Sequence, residues 1–203
     1  MKVNVYGMYR SGSSFIYNVV KEFTDDITKL HGADIDDTLT IYSYRDVRNA
    51  CASIIRMNNM TYDKHGDFID KSICKVSGER FNISEFINEL IDYDNKLDEY
   101  DILKLKYEDD ILYDNKKAIT KILDYISVPY DIDLVNKISD KLDINKQKII
   151  VDNIKTVYDD ESKYFKNHIG NGKTNYKDYF TIDDLSFSVK IKLVNWLTKR
   201  NYI

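Results

Sequence analysis

The stretch KVNVYGMYRSGSSFIYNVV, residues 2–20, constrains the fold more than any other part of the chain. Val3 and Val5 alternate with polar residues and Tyr6 follows, the period-two pattern of a strand. Phe15, Ile16, Val19, Val20 and Phe23 then recur at helical spacing. Between them Gly7 and Gly12 stand five residues apart in a short loop. A strand, a glycine-bearing loop and a helix, in that order, predict a phosphate-binding loop. The N–H groups of the helix's first turn carry about half a unit of positive charge and point at whatever anion the loop receives. Ser13 and Ser14 can add hydroxyl donors, and Arg10 brings a permanent charge on a planar fork of donors. A tight strand-to-helix turn with a capping serine carries the same spacing, so the motif alone leaves both readings open.

The loop departs from the G-x-x-x-x-G-K-[ST] pattern in one place that matters. Ser13 stands where that pattern has lysine, and Ser14 stands at its magnesium-ligating hydroxyl. A nucleoside triphosphatase needs the lysine on its β and γ phosphates. Its loss, with no clear second acidic motif for magnesium, argues against triphosphate hydrolysis.

The rest of the chain alternates strand and helix signals. DITKLH (26–31) reads as a short strand and TLTIYSY (38–44) as a stronger one. Residues 46–59 read as a helix with Asp46 placed to cap it. Residues 60–80 lack periodicity and read as a loop or lid. A helix from about Ser84 to Lys96 presents Phe86, Ile87, Leu90 and Ile91 on one face. Residues 101–107 read as a strand, and Ala118, Ile119, Ile122, Leu123 and Ile126 mark the next helix. Two further helices cover roughly 131–142 and 145–158, and the segment 181–200 ends in another. This alternation predicts a parallel sheet in a layered α/β domain.

The chain's 203 residues suffice for a single domain, 1–203, with a sizeable core. A net charge of −4 argues against general nucleic-acid or membrane binding. No apolar run reaches transmembrane length and no signal peptide is read at the N-terminus. Cys51 and Cys74 form neither a disulfide framework nor a metal-ligand spacing, which suggests a reducing, cytoplasmic setting. Oligomeric state is not readable.

Five stretches in order carry a resemblance to a known family. YRSGSSF (9–15) is similar to the 5′-phosphosulfate loop of sulfotransferases that use 3′-phosphoadenosine 5′-phosphosulfate (PAPS). KLH, Lys29 to His31, resembles that family's K-T-H segment. IYSYRDVRNACAS (41–53) resembles its 3′-phosphate motif, with Arg45 and Ser53 eight residues apart. Residues 103–128 resemble its strand, Y-E-D turn and following helix. GNGKTNYKDYFT (170–181) resembles its closing segment, with Tyr176 in place of a tryptophan and Thr174 near the position of the inner glycine.

The resemblance implies a P-loop NTPase-like three-layer domain with a central parallel β-sheet flanked by helices. It implies in-line sulfuryl transfer from PAPS to a hydroxyl or amine of a carbohydrate or small-molecule acceptor, with 3′-phosphoadenosine 5′-phosphate (PAP) as product. Arg10, Ser11, Gly12, Ser13, Ser14 and Phe15 would form the 5′ loop, and Arg45 with Ser53 would hold the 3′-phosphate. Tyr107 and Phe15 would line the adenine or belong to the core. Lys173 and Lys177 would approach the phosphates or stay solvated. His31 would be the general base, with His65 and His168 as weaker candidates. Arg10 would meet developing charge without giving up a proton, and Lys29 would add charge or remain solvated. Arg48 and Arg56 would face solvent or substrate. No metal is implied, since arginines and backbone dipoles supply the charge. Two rivals stay open: a P-loop phosphotransferase with a degenerate loop, and a nucleotide-binding protein without catalysis.

Overall fold

The computed structural model describes residues 1–30, 35, 38–57, 82–153, 158–165, 169 and 174–203. The chain separates into two compact units. The first comprises Met1–Arg45 and Tyr100–Gly172, the second Asp46–Glu99 and Lys173–Ile203.

Four parallel strands organise the first unit: β1 (Val3–Gly7), β2 (Ile27–Leu30), β3 (Leu39–Tyr44) and β4 (Leu103–Lys106), in spatial order β2-β1-β3-β4. β1 is buried along its whole length, as a central parallel strand must be. Val3 and Val5 join Ile41 and Leu105 in one apolar cluster. Helix α1 (Ser13–Lys21) gives that cluster Phe15, Ile16, Val19 and Val20, and the helix at Asn115–Tyr125, α4, gives it Ala118, Ile119, Ile122 and Leu123. Each fully buried Val or Ile there contributes roughly 1.5–3 kcal/mol. Helix α5 (Ile132–Lys141) adds Val135 and Ile138. Asp114 and Asp131 cap α4 and α5 by accepting the N–H groups of Lys117 and Leu134.

The helix expected over 145–158 is shorter in the structure. It runs as α6 (Ile144–Asp152) and stops where Asn153 turns its side chain back, donating from Nδ2 to the Ile149 carbonyl at 2.7 Å. Tyr158–Asp159 instead form β5, paired antiparallel with β6 (Tyr164–Phe165) in a small hairpin. A π-helical turn, Tyr107–Leu112, follows β4 and closes with Tyr113 N–H donating to the Glu108 carbonyl at 3.2 Å.

The strand order decides where a ligand can sit. The chain leaves β1 to one side to make β2, then crosses to the other side to make β3. The gap between β1 and β3 is therefore a topological switch point, where open α/β sheets bind ligands beyond the carboxyl ends of their strands. The glycine loop leaves β1 there, and Arg45 follows the end of β3.

The second unit is helical: α2 (Val47–Met57), α3 (Ile83–Lys96) and α7 (Phe187–Lys199). Asp46 caps α2 as expected, its Oδ1 accepting the Arg48 N–H at 2.9 Å. Asp94 of α3 is fully buried and ties α3 to α7. It accepts the Trp196 Nε1–H and the Arg200 Nε–H, each at 2.7 Å. Arg200 also donates to Asp98 at 2.8 Å.

Candidate functional site

Gly7 closes β1 opposite Ser43 of β3. A Cβ on Gly7 would stand 2.5 Å from the Ser13 Cβ, so only glycine lets α1 begin this close to the strand end. Gly12 holds a φ of 89°, and a Cβ there would meet Tyr107 and Ile111 at 3.0 Å. Arg10 also takes a positive φ, 65°, a left-handed conformation that costs a non-glycine residue on the order of 1 kcal/mol. These turns bring the chain into α1, where the Phe15 and Ile16 N–H groups donate to the Gly12 carbonyl at 2.9 and 3.2 Å and the N–H groups of Ser13 and Ser14 precede the first intrahelical bond.

Ser11 braces the loop. Its hydroxyl lies 2.6 Å from the Met8 carbonyl, 2.9 Å from the Ser43 carbonyl and 2.8 Å from the Ser43 Oγ. The Met8 N–H donates to the same Ser43 carbonyl at 2.9 Å. Ser43, a plain strand serine in the sequence, thus fastens the loop of β1 to the end of β3.

Ser13 and Ser14 are buried at the start of α1. Ser14 Oγ donates to the Lys163 carbonyl at 3.0 Å and accepts from Lys29 Nζ at 2.5 Å. Lys29, paired in register with Val5, also donates to the Lys163 carbonyl at 3.3 Å. Neither partner is charged. Burial pulls the Lys29 ammonium down to about 8, and the neighbouring charges of Arg10 and Lys163 pull the same way.

Arg45 is buried and lies against the loop. Its guanidinium donates to the Arg10 carbonyl at 3.3 Å, and its Cζ stands over the Tyr107 ring, 4.7 Å from the centroid. Arg45 Nε lies 3.7 Å from Glu108 Oε1. Arg10, Lys29 and Arg45 are thereby gathered at the carboxyl ends of β1, β2 and β3. Burial pushes the Tyr107 phenol up, against the opposing pull of Arg45 and Arg10.

Asp110 supports this edge from the π-turn. Burial alone would raise its carboxyl. Hydrogen bonds from Lys121, Lys117 and the Lys106 N–H together outweigh burial and hold it below the usual carboxylate range. Its Oδ2 accepts the Lys106 N–H at 2.9 Å, which anchors the turn carrying Tyr107 and Glu108. A π-turn has no period that a sequence scan detects, so Asp110's role was not legible there.

Phe15 sits in the apolar core cluster, and Tyr107 packs against that cluster as well as against Arg45. In the second unit Ser53 is buried on α2, and Lys177 is exposed on a 3₁₀ turn, Tyr176–Asp178. Arg48 does not face solvent. Asp46 pins it through contacts at 2.6 and 2.9 Å, and its guanidinium stacks 4.8 Å over the Tyr176 ring. The Tyr176 N–H donates to Asn49 Oδ1 at 3.1 Å. Arg56 is half-buried. His31 and Lys173, with His65 and His168, lie outside the described residues.

Among the described residues, no group of three or more His, Cys, Asp or Glu is placed to hold a metal ion. No helix among them is long and apolar enough to cross a membrane.

Comparisons with known proteins give the family and the fold. A family model described as Sulfotransferase domain matches residues 35–191, more than half of the chain. The matched residues include Arg45, Ser53 and Tyr107 and begin after the glycine loop. Among solved structures, the chain is similar to mouse sulfotransferase SULT7A1 complexed with PAP, with a TM-score of 0.63 and 12% identity. That likeness covers 98% of this chain and 88% of the mouse chain, and it shows the P-loop-type α/β fold. The comparison with curated proteins finds no match. The chain belongs to the sulfotransferase family, whose enzymes transfer sulfuryl groups.

Proposed function

We propose that this enzyme takes its sulfuryl group from PAPS and delivers it to a hydroxyl or amine of a carbohydrate or small-molecule acceptor, in the cytoplasm. One observation carries the choice of donor: Arg10, Lys29 and Arg45 converge with the open first turn of α1 at the β1/β3 switch point. Two of these cations are arginines, always charged, and the loop glycines leave room for an anion to approach the backbone. That donor set fits a nucleotide with an anionic group at each end.

PAPS, when bound, supplies the sulfuryl group and a phosphate leaving group. The chain's own residues bind, orient and compensate charge. Arg10 and the N–H groups of Ser13 and Ser14 hold the 5′ end, with Gly12 keeping the backbone approach open. Ser11 keeps the loop in shape rather than donating to the nucleotide. Arg45 holds the 3′-phosphate, and the family resemblance adds Ser53 to that role and Lys173 and Lys177 to the nucleotide phosphates. Tyr107 borders the adenine beside Arg45, while Phe15 supports the loop from the core. Arg10 and Lys29 compensate negative charge as it grows on the leaving oxygen. His31, on the same resemblance, takes the acceptor's proton. Positioning and electrostatics thus carry most of the rate, as in phosphoryl transfer.

A thermal-shift titration with PAP, with MgATP as control, tests the donor. The account predicts a rise in Tm with PAP and none with MgATP. Equal shifts from both nucleotides, or a shift from MgATP alone, would overturn it. With an acceptor in hand, Arg10→Ala should slow transfer by about 10²-fold, the usual cost of one oxyanion donor.

A further inference from the structure

The β5–β6 hairpin carries no motif and no assigned role, yet its turn, residues 160–163, rests on the donor loop. Three consecutive carbonyls of this turn accept hydrogen bonds from the loop side of the first unit. The Glu161 carbonyl accepts from Lys21 Nζ at 3.0 Å, and the Ser162 carbonyl accepts from Asn18 Nδ2 at 2.9 Å. The Lys163 carbonyl accepts from Ser14 Oγ at 3.0 Å and Lys29 Nζ at 3.3 Å. Ser14, Asn18 and Lys21 lie four and three residues apart, one stripe along α1. The helix therefore has two working faces: an apolar one for the core and a polar one for the hairpin.

The turn is itself held firmly. Asp159 Oδ2 accepts the Ser162 N–H at 2.8 Å and also the Ser162 hydroxyl. Lys163 takes a left-handed φ of 57° and pairs its Nζ with Asp160 at 3.2 Å. A braced turn with one residue in a disfavoured backbone conformation fixes where the Lys163 carbonyl points.

We propose that Lys163 is a positioning residue of the donor site, its carbonyl setting Ser14 and Lys29 beside the loop and its ammonium adding positive charge to that of Arg10 and Lys29. This inference rests on the PAPS-binding function proposed above. The argument is electrostatic. Lys29 is a buried ammonium whose partners among the described residues are two neutral oxygens. Two cations face it, Arg10 from the loop and Lys163 from the hairpin. The carboxylates of the hairpin are engaged with groups other than Lys29: Asp159 with Ser162, Asp160 with the Lys163 ammonium and Glu161 with Lys21. A buried charge in such company is destabilising until an anion arrives. The Lys163 carbonyl accepts from the two donors, Ser14 Oγ and Lys29 Nζ, that a sulfonate or phosphate oxygen would also use. The hairpin thus holds both donors in readiness and biases the site toward a multiply charged ligand.

Two variants test this, Lys163→Gln and Lys163→Arg. Both keep a long side chain on the same backbone. The first readout needs no nucleotide: NMR titration of the Lys29 Cε and Hε resonances in the free protein. Removing the Lys163 charge in Lys163→Gln should move the Lys29 midpoint upward from about 8 toward the ordinary lysine value of 10.5. Lys163→Arg should leave it in place. The second readout is PAP affinity by calorimetry, where Lys163→Gln should weaken binding roughly three- to tenfold and Lys163→Arg should restore it. An unchanged Lys29 midpoint in Lys163→Gln, or an unchanged PAP affinity, would overturn the proposal. Absence of PAP binding in the unmodified protein would instead count against the donor assignment, while the Lys29 midpoint would still report on the hairpin.

Discussion

Two partly buried cations in this molecule are treated in opposite ways. Arg200, in the second unit, meets Asp94 and Asp98, and Asp94 takes a third bond from Trp196. Lys29, in the first unit, meets a hydroxyl and a carbonyl, with two further cations close by. The first pairs its cation with carboxylates inside the protein, and its role is to clasp α3 to α7. The second sets the Lys29 ammonium against neutral oxygens, with the charges of Arg10 and Lys163 as neighbours. Such a cost fits a place where a ligand brings opposite charge, so the contrast sets a structural clasp against the proposed binding site.

The clasp should fail most visibly when cut. Asp94→Ala leaves the Arg200 charge short of its buried partner, a change that typically costs about 3–5 kcal/mol. For a chain of this size that lowers Tm by on the order of 10 °C. Thermal or urea unfolding measures it, and a loss under about 1 kcal/mol would erase the contrast.

Lys29 should respond in the other direction. Lys29→Met keeps the stem and removes the charge, so it should stabilise the fold by about 1–3 kcal/mol while reducing sulfuryl transfer. The pH dependence sharpens this. The Lys29 pKa is about 8 folded against 10.5 as the reference. Between those values the unfolded chain binds the extra proton, so stability of the unmodified protein should rise with pH across that window. In Lys29→Met that rise should shrink, and urea titrations at pH 8 and pH 10 would show whether it does. Lys163→Gln should give the smallest effect of the series, a partial version of the same change.

The sequence made much of this legible, unevenly and for physical reasons. The four sheet strands and the helices after them were readable because β-branched alternation and a 3.6-residue apolar period are local signals. The loop was readable because Gly7 and Gly12 are demanded by close approach and a left-handed turn, needs that few residues can meet. The placement of Arg45 followed from its position at a strand end beside the switch point.

What escaped the sequence depends on distant contacts. The hairpin strands are two residues each, too short for a period, and the apolar run through Ile149 and Ile150 suggested a longer helix than α6. Ser11 could be placed in the loop from the motif, but its bracing contacts with Ser43, far along the chain, could not. Arg48 is expected from the sequence to face solvent or substrate, and its stacking on Tyr176 was not legible because that ring arrives from the far end of the chain. Lys29 could be named from its motif, but its depressed pKa comes first from burial and then from Arg10 and Lys163, and no pattern places Lys163 nearby.

Calorimetric titration of the unmodified protein with PAP at pH 8.5, in two buffers of different ionisation enthalpy, tests the central claim most directly. With Lys29 at about 8 in the free protein, an arriving anion should restore its proton, so binding should take up roughly 0.7 of a proton per nucleotide. Binding with no proton uptake, the same apparent enthalpy in both buffers, would contradict the account, because it would place Lys29 away from the bound anion.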